Sequence, residues 1–331
     1  MNKKTIIILL VVLALLVIAS LTQKESHRNA VTQKDNAALF ATEFDAANIS
    51  RIVITQGADS TGVVLDKLEQ WVSRSRFGYT ADENKIYQLL NMLNGLDGQF
   101  RSDKEQVLVD YGLGGSEAVT VSLFDSDFNE VVSLEIGKSP AGGTGHFIRS
   151  TTDNKVYLTN IDVLAKMGLV NGPELPNHAF FLDTRIFSTT REDVRAFTLY
   201  QGNEIIALEK RYAEVDSTID FSTWDWEITK PEKTMASNAA VDQLLNSLIS
   251  INAADMADPA IDMEKVGLWK AAKRLEVKLA DGSTFELRVG DKLEEDPSGY
   301  YADNGNPNTR WIIIDIKIDQ IFKSLEDLLP E

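Results

Sequence analysis

Cysteine is absent from the 331-residue chain. That excludes disulfides, thiolate zinc sites, iron–sulfur clusters, cysteine nucleophiles and lipoprotein acylation together. Histidine is scarce: His27, His146 and His178 are few and widely separated. Positive charge is short, with 33 Lys and Arg against 50 Asp and Glu for a net of −17. This argues against nucleic acid as a partner, because affinity for phosphates comes from Lys and Arg displacing counterions. The patterns G-x-S-x-G and S-x-x-K are missing. The nearest thing to a phosphate loop, Gly142-Gly143-Thr144-Gly145, lacks the GK[ST] ending and any helix pattern behind it. No catalytic residue, metal site or cofactor is predicted. With 44% hydrophobic and 25% charged residues, the composition is that of a globular protein, and the length suits two domains.

Long hydrophobic runs are also missing, except at one place. Lys3 and Lys4 precede a stretch in which every residue from Ile6 to Ala19 is aliphatic. As a helix, the uncharged span from Lys4 to Lys24 reaches about 28 Å, close to the thickness of the hydrocarbon layer. Residues 1–21 therefore read as a transmembrane signal anchor that contacts the bilayer. A signal peptide cleaved after Ala19 is the competing reading. Either way the positive-inside rule sends the remainder outward; uncleaved, the anchor keeps its N-terminus cytoplasmic and gives a single-pass protein of a bacterial inner membrane with a periplasmic body. Residues 22–38, polar and without period, read as a tether.

The exported part is written twice. QLLNML at 88–93 returns as QLLNSL at 243–248, an offset of 155 that also relates Trp71 to Trp226, Ala81 to Ala236, and Gly112-Leu113 to Gly267-Leu268. VVLDK at 63–67 answers IALEK at 206–210, and LEIG at 134–137 answers LRVG at 287–290, so Gly137 matches Gly290. HFIRS at 146–150 parallels YYADN at 300–304, and KVYLT at 155–159 parallels RWIII at 310–314. The domain reading is residues 39–183 for copy one and 184–331 for copy two, with the largest insertion at 213–223.

Each copy reads as two or three strands, a helix, four strands and a closing helix near 160–168 or 317–328. Ile86, Leu89, Leu90, Leu93 and Leu96, and in copy two Val241, Leu244, Leu245, Leu248 and Ile251, follow i, i+3, i+4, i+7 spacing, so each helix presents one apolar face. Asp82 and Ser237 stand where N-caps belong. Asp125-Ser126-Asp127 and Asp281-Gly282-Ser283 read as hairpin turns. The fold class is α+β: two tandem copies of a mostly antiparallel sheet with helices on one face. The repeated residues Trp71, Trp226, Gly112, Gly267, Gly137 and Gly290 read as structural. Asp125, Asp127 and Asn129 imitate a calcium loop, but Glu130 stands where glycine is needed and Ile136 where a bidentate Glu is needed.

On these residues the chain resembles the bacterial family catalogued as domain of unknown function 4340, from about residue 39 to 328. The resemblance implies a membrane-anchored or exported repeat protein, often encoded beside ABC-transporter genes of the gliding-motility auxiliary type. It implies no catalytic residues. The expected function is a non-catalytic, membrane-anchored periplasmic interaction module accessory to an envelope ABC-transporter-type complex. A second reading is a periplasmic protein binding a small molecule or glycan between the repeats, near His178, Phe180 and Phe181. A third is a hydrolase using His146 or His178 with a Ser and an acid nearby.

Overall fold

In a computed structural model, the structure describes residues 36–38, 44–169, 177–215, 218–293 and 298–330. The hydrophobic leader at residues 6–19 and most of the tether lie outside them. Among the described residues, no helix is long and apolar enough to cross a membrane.

Runs rich in Val, Ile, Leu and aromatic residues form strands throughout. The first series is β1 (Asn36–Ala38), β2 (Arg51–Gln56), β3 (Asp59–Leu65), β4 (Trp71–Ser73), β5 (Tyr79–Thr80), helix α1 (Glu83–Asn94), β6 (Asp97–Ser102), β7 (Val119–Phe124), β8 (Glu130–Ile136), β9 (Phe147–Ser150) and β10 (Val156–Leu158). Their order in the sheet is β1-β6-β10-β9-β8-β7-β2-β3-β4-β5.

The second series is β11 (Arg185–Ser188), β12 (Val194–Gln201), β13 (Glu204–Val215), β14 (Thr218–Lys230), β15 (Thr234–Met235), helix α2 (Asn238–Leu248), β16 (Ser250–Asn252), β17 (Asp255–Met256), β18 (Lys273–Leu279), β19 (Thr284–Leu293), β20 (Gly299–Asp303), β21 (Trp311–Ile314), and helices α3 (Asp315–Ile321) and α4 (Leu325–Leu328). The second sheet runs β17-β21-β20-β19-β18-β12-β13-β14-β15, with β11 paired to β16. Strand for strand this is the order of the first sheet. Where β6 is continuous and pairs with β1 and β10, its counterpart is split, β16 pairing with β11 and β17 with β21.

Both helices bury the face that periodicity assigns them. Ile86, Leu89, Leu90 and Leu93 of α1 are buried, as are Val241, Leu244, Leu245 and Leu248 of α2. Leu96 and Ile251, just beyond the helix ends, are buried too. Ser237 caps α2, its hydroxyl accepting from the Ala240 amide. The core of the second series joins this face to Phe197, Leu199, Leu208, Trp226, Leu275 and Val277.

One predicted helix does not form. The closing helix of copy one is a single 3₁₀ turn, Ala165–Met167, which ends at Gly168 with φ of 82°; the chain turns too soon after Asp162 for an α-helix to propagate. Copy two keeps its closing helix, as α3 and α4. The insertion at 213–223 lengthens the β13–β14 hairpin, which stays paired out to Val215 and Thr218.

The chain divides into two compact units, residues 1–62 with 83–177 and residues 63–82 with 178–331. The division after Asn177 falls ahead of the 183/184 boundary read from the sequence, and residues 63–82 group with the second unit. Side-chain chemistry explains that grouping. Arg76 grips Asp255 in a bidentate pair at 2.7–3.0 Å. Tyr79 donates its hydroxyl hydrogen to the Ala257 carbonyl and accepts from the Arg310 amide. Asp82 N–H donates to Phe181 O, and Asp183 N–H to Thr80 O.

Candidate functional site

The residues that recur between the copies meet each other. Gly112 ends a 3₁₀ turn, Val109–Tyr111, with φ of 71°, a left-handed conformation that glycine adopts without steric cost. Gly137, at the end of β8, lies against that turn: a Cβ there would sit 2.2 Å from the Tyr111 carbonyl oxygen. In copy two, Gly267 has φ of 69° and a Cβ on Gly290 would sit 2.1 Å from the Val266 carbonyl oxygen. The next amide donates to the same carbonyl each time, Lys138 to Tyr111 and Asp291 to Val266. The two glycines of a copy thus make one close backbone contact. Trp71 and Trp226 are buried, and their carbonyls accept from the amides of Ala81 and Ala236 in turn. The signature is spent on building.

An ion pair also recurs, with its charges exchanged. Glu135 and Arg149 face each other across β8 and β9, with Arg149 Nε and Nη2 donating to the carboxylate at 2.8 and 2.9 Å. The equivalent rung of β19 and β20 holds Arg288 and Asp303, with Nε donating to Oδ1 at 2.7 Å. Asp303 and Arg310 are both buried, 3.5 Å apart. Aligning LEIG with LRVG and HFIRS with YYADN already places Glu opposite Arg at one position and Arg opposite Asp at the other. The exchange was legible, and reading for identity alone missed it.

Of the catalytic candidates, His146 is the one brought together with a serine and an acid. It is 5% exposed. Its Nε2 lies 3.1 Å from Asp162 Oδ1, and its Nδ1 lies 3.2 Å from the Gly137 carbonyl oxygen and 3.4 Å from Ser139 Oγ. As general base for Ser139, the ring would have to present a lone pair at Nδ1, and that lone pair would point at the Gly137 oxygen as well. With both ring nitrogens donating, Nε2–H to Asp162 Oδ1 and Nδ1–H to Gly137 O, each acceptor is satisfied and no lone pair is left for Ser139. Asp162 Oδ1 accepts from the Ala165 amide too, so the cluster braces the end of β8 against the 3₁₀ turn after β10. Copy two has Tyr300 at the His146 position.

His178, Phe180 and Phe181 belong to the second unit. His178 and Phe180 are half-buried, Phe181 is buried, and the two phenyl rings meet edge to face with centroids 4.9 Å apart. Asp125, in the calcium-like turn, spends its carboxylate on the amides of Asp127 and Asn129 and on the Asn129 side chain. Those hydrogen bonds hold its pKa below the usual carboxylate range.

The architecture defines a duplicated α+β protein, each copy a mostly antiparallel sheet around one long helix. A family model described as domain of unknown function (DUF4340) matches residues 71–218 and 226–327, and the chain belongs to that family. The interval between the two matched segments falls in β14, within the extended hairpin. Neither curated proteins nor solved structures give a match.

Proposed function

We propose that the protein is a membrane-anchored, extracytoplasmic, non-catalytic interaction module that serves an envelope transport complex of the ABC-transporter type. The observation that carries this reading is where the repeated residues go. Glycine pairs, buried tryptophans and cross-strand ion pairs recur, whereas the Ser139–His146–Asp162 cluster does not. Duplication has therefore kept a shape, and two related surfaces on one tether favour multivalent contact with a partner. Trp269, 68% exposed just after the Gly267-Leu268 signature, is the side chain type most enriched where partners dock.

Export can be tested before any partner is known. A reporter enzyme active only outside the cytoplasm, fused after residue 40 and, separately, at the C-terminus, is expected to be active in both fusions. Inactivity of either contradicts the topology on which the reading rests.

A further inference from the structure

Three hairpins close with the same turn. At the tip of β7 and β8, Asp125 N–H donates to Asn129 O and Phe128 N–H to Asp125 O, at 3.1 and 3.2 Å. Between β18 and β19, Leu279 N–H donates to Ser283 O and Gly282 N–H to Leu279 O, at 2.9 and 3.1 Å. Between β3 and β4, Asp66 N–H donates to Gln70 O and Glu69 N–H to Asp66 O, at 2.9 and 3.1 Å. The fourth residue of such a turn is left-handed, a conformation that favours glycine. Copy two has Gly282 there, with φ of 86°. The β3–β4 turn has Glu69, with φ of 59°, and the β7–β8 turn has Phe128, with φ of 65°.

Phe128 is the least favourable of the three choices. A bulky side chain on a left-handed backbone crowds the carbonyl that follows it. Burial does not offset the crowding, because the residue is 64% exposed. The turn also holds the ring firmly in place. The Asp125 carboxylate accepts from the Asp127 and Asn129 amides at 2.9 Å each and from the Asn129 side chain at 3.0 Å. Ser50 donates its hydroxyl hydrogen to the Asp125 carbonyl at 2.6 Å. The fold thus gains no core contact from this aromatic ring and bears backbone strain to display it. A contact outside the chain accounts for both facts.

The neighbours of the ring set the chemistry of what it meets. Val131, 42% exposed, adds apolar surface three residues on. Asp125, Asp127 and Glu130 place three negative charges around the tip. The cation nearby is Arg51, whose guanidinium lies 5.3 Å from the Phe124 ring centroid. Anionic lipid headgroups would be repelled by this tip, and so would an acidic protein surface. Its complement is an apolar pocket wide enough for a phenyl ring and edged by Lys or Arg. We propose that the β7–β8 tip is a docking site, with Phe128 inserted into such a pocket on a protein partner. The site lies wholly within the first unit, and copy two carries Gly282 in place of the anchor. It rests on the interaction role above and names the side chain and the kind of surface that role uses.

The test uses the full chain in its native membrane, with photoreactive p-benzoylphenylalanine in place of Phe128 or, as a control, in place of exposed Gly115. Irradiation is expected to join position 128 to a protein at a segment whose apolar residues are flanked by Lys or Arg, with at least tenfold less of that adduct from position 115. Phe128→Gly relieves the strain, so it should raise the melting temperature by roughly 2–4 °C while lowering recovery of the same protein tenfold or more after chemical cross-linking. Asp127→Lys combined with Glu130→Lys, which leaves Asp125 in the turn, should lower that recovery as well. An adduct with lipid, or with a segment lacking Lys and Arg, overturns the proposal. So does a Phe128→Gly chain that is no more stable than the parent. Undiminished recovery from either variant removes the docking site and leaves the interaction role standing, whereas a parent chain that captures no protein removes both.

Discussion

Gly290→Ala is expected to unfold the second unit or to lower its stability by more than about 4 kcal/mol, a loss reached only by a short list of mechanisms. The new Cβ would sit 2.1 Å from the Val266 carbonyl oxygen. Both partners are backbone, so no rotamer change relieves the clash. Strand β19 would have to leave the turn at Gly267, breaking the hydrogen bond from Asp291 N–H to Val266 O and exposing Leu268, which is fully buried. Gly137→Ala in copy one is expected to do the same, for the same reason at Tyr111. Gly115→Ala is the control: nothing lies within 4 Å of its added Cβ, so stability should stay within about 0.5 kcal/mol of the parent. Thermal unfolding reads all three. At roughly 2–4 °C per kcal/mol for a domain of this size, the two signature variants should melt at least ~8 °C lower. Melting temperatures equal to that of Gly115→Ala would show that the repeated glycines are not structural.

The second large effect is expected at the exchanged ion pairs. Asp303 is fully buried, accepts from Arg288 Nε and the Gly305 amide, and lies 3.5 Å from the guanidinium of buried Arg310. Asp303→Ala would leave two guanidinium groups uncompensated, Arg310 in the interior and Arg288 mostly covered. Breaking a buried pair in this way costs about 3–5 kcal/mol. Copy one permits a sharper experiment. Glu135→Arg and Arg149→Glu made singly put like charges on one rung, whereas the double variant recreates the polarity that copy two uses. The double variant is expected to be more stable than the sum of the singles implies, with a coupling of about 1–3 kcal/mol in denaturant unfolding. Recovery should be incomplete, because Glu135 also accepts from the Gly114 amide and Arg149 also donates to the Asp153 carbonyl. The same exchange at Arg288 and Asp303 should fail, since it places a second arginine against Arg310. Strict additivity in copy one would mean that the pair contributes nothing as a pair.

What could be read from the sequence was whatever depends on local periodicity or on recurrence. The apolar faces of α1 and α2, the Ser237 cap, the turns at Asp125 and Asp281 and the duplication all leave marks within a few residues or at a fixed offset. The family was legible for the same reason, because its signature is made of those marks. Contacts made across the sheet left none. His146 reaches Asp162 and Gly137 through the stacking of β8, β9 and β10, and no spacing rule links those positions. The placement of Lys210 against the Trp224 ring depends on the register of β13 against β14. The attachment of residues 63–82 to the second unit rests on Arg76 and Tyr79, which have no apolar pattern to announce them. Such features become visible once the register of each strand is known, because register decides which side chains share a face.

The proposed function requires a body held at the membrane by its leader and meeting a partner there without chemistry of its own. The most direct measurement is purification of the full chain from its native membrane after brief cross-linking, with its companions identified by mass spectrometry. Recovery of an ABC-transporter subunit in a fixed ratio is the predicted result, abolished when residues 1–21 are replaced by a cleavable export signal that frees the body. Recovery of the chain alone, or of the same companions without the anchor, would contradict it.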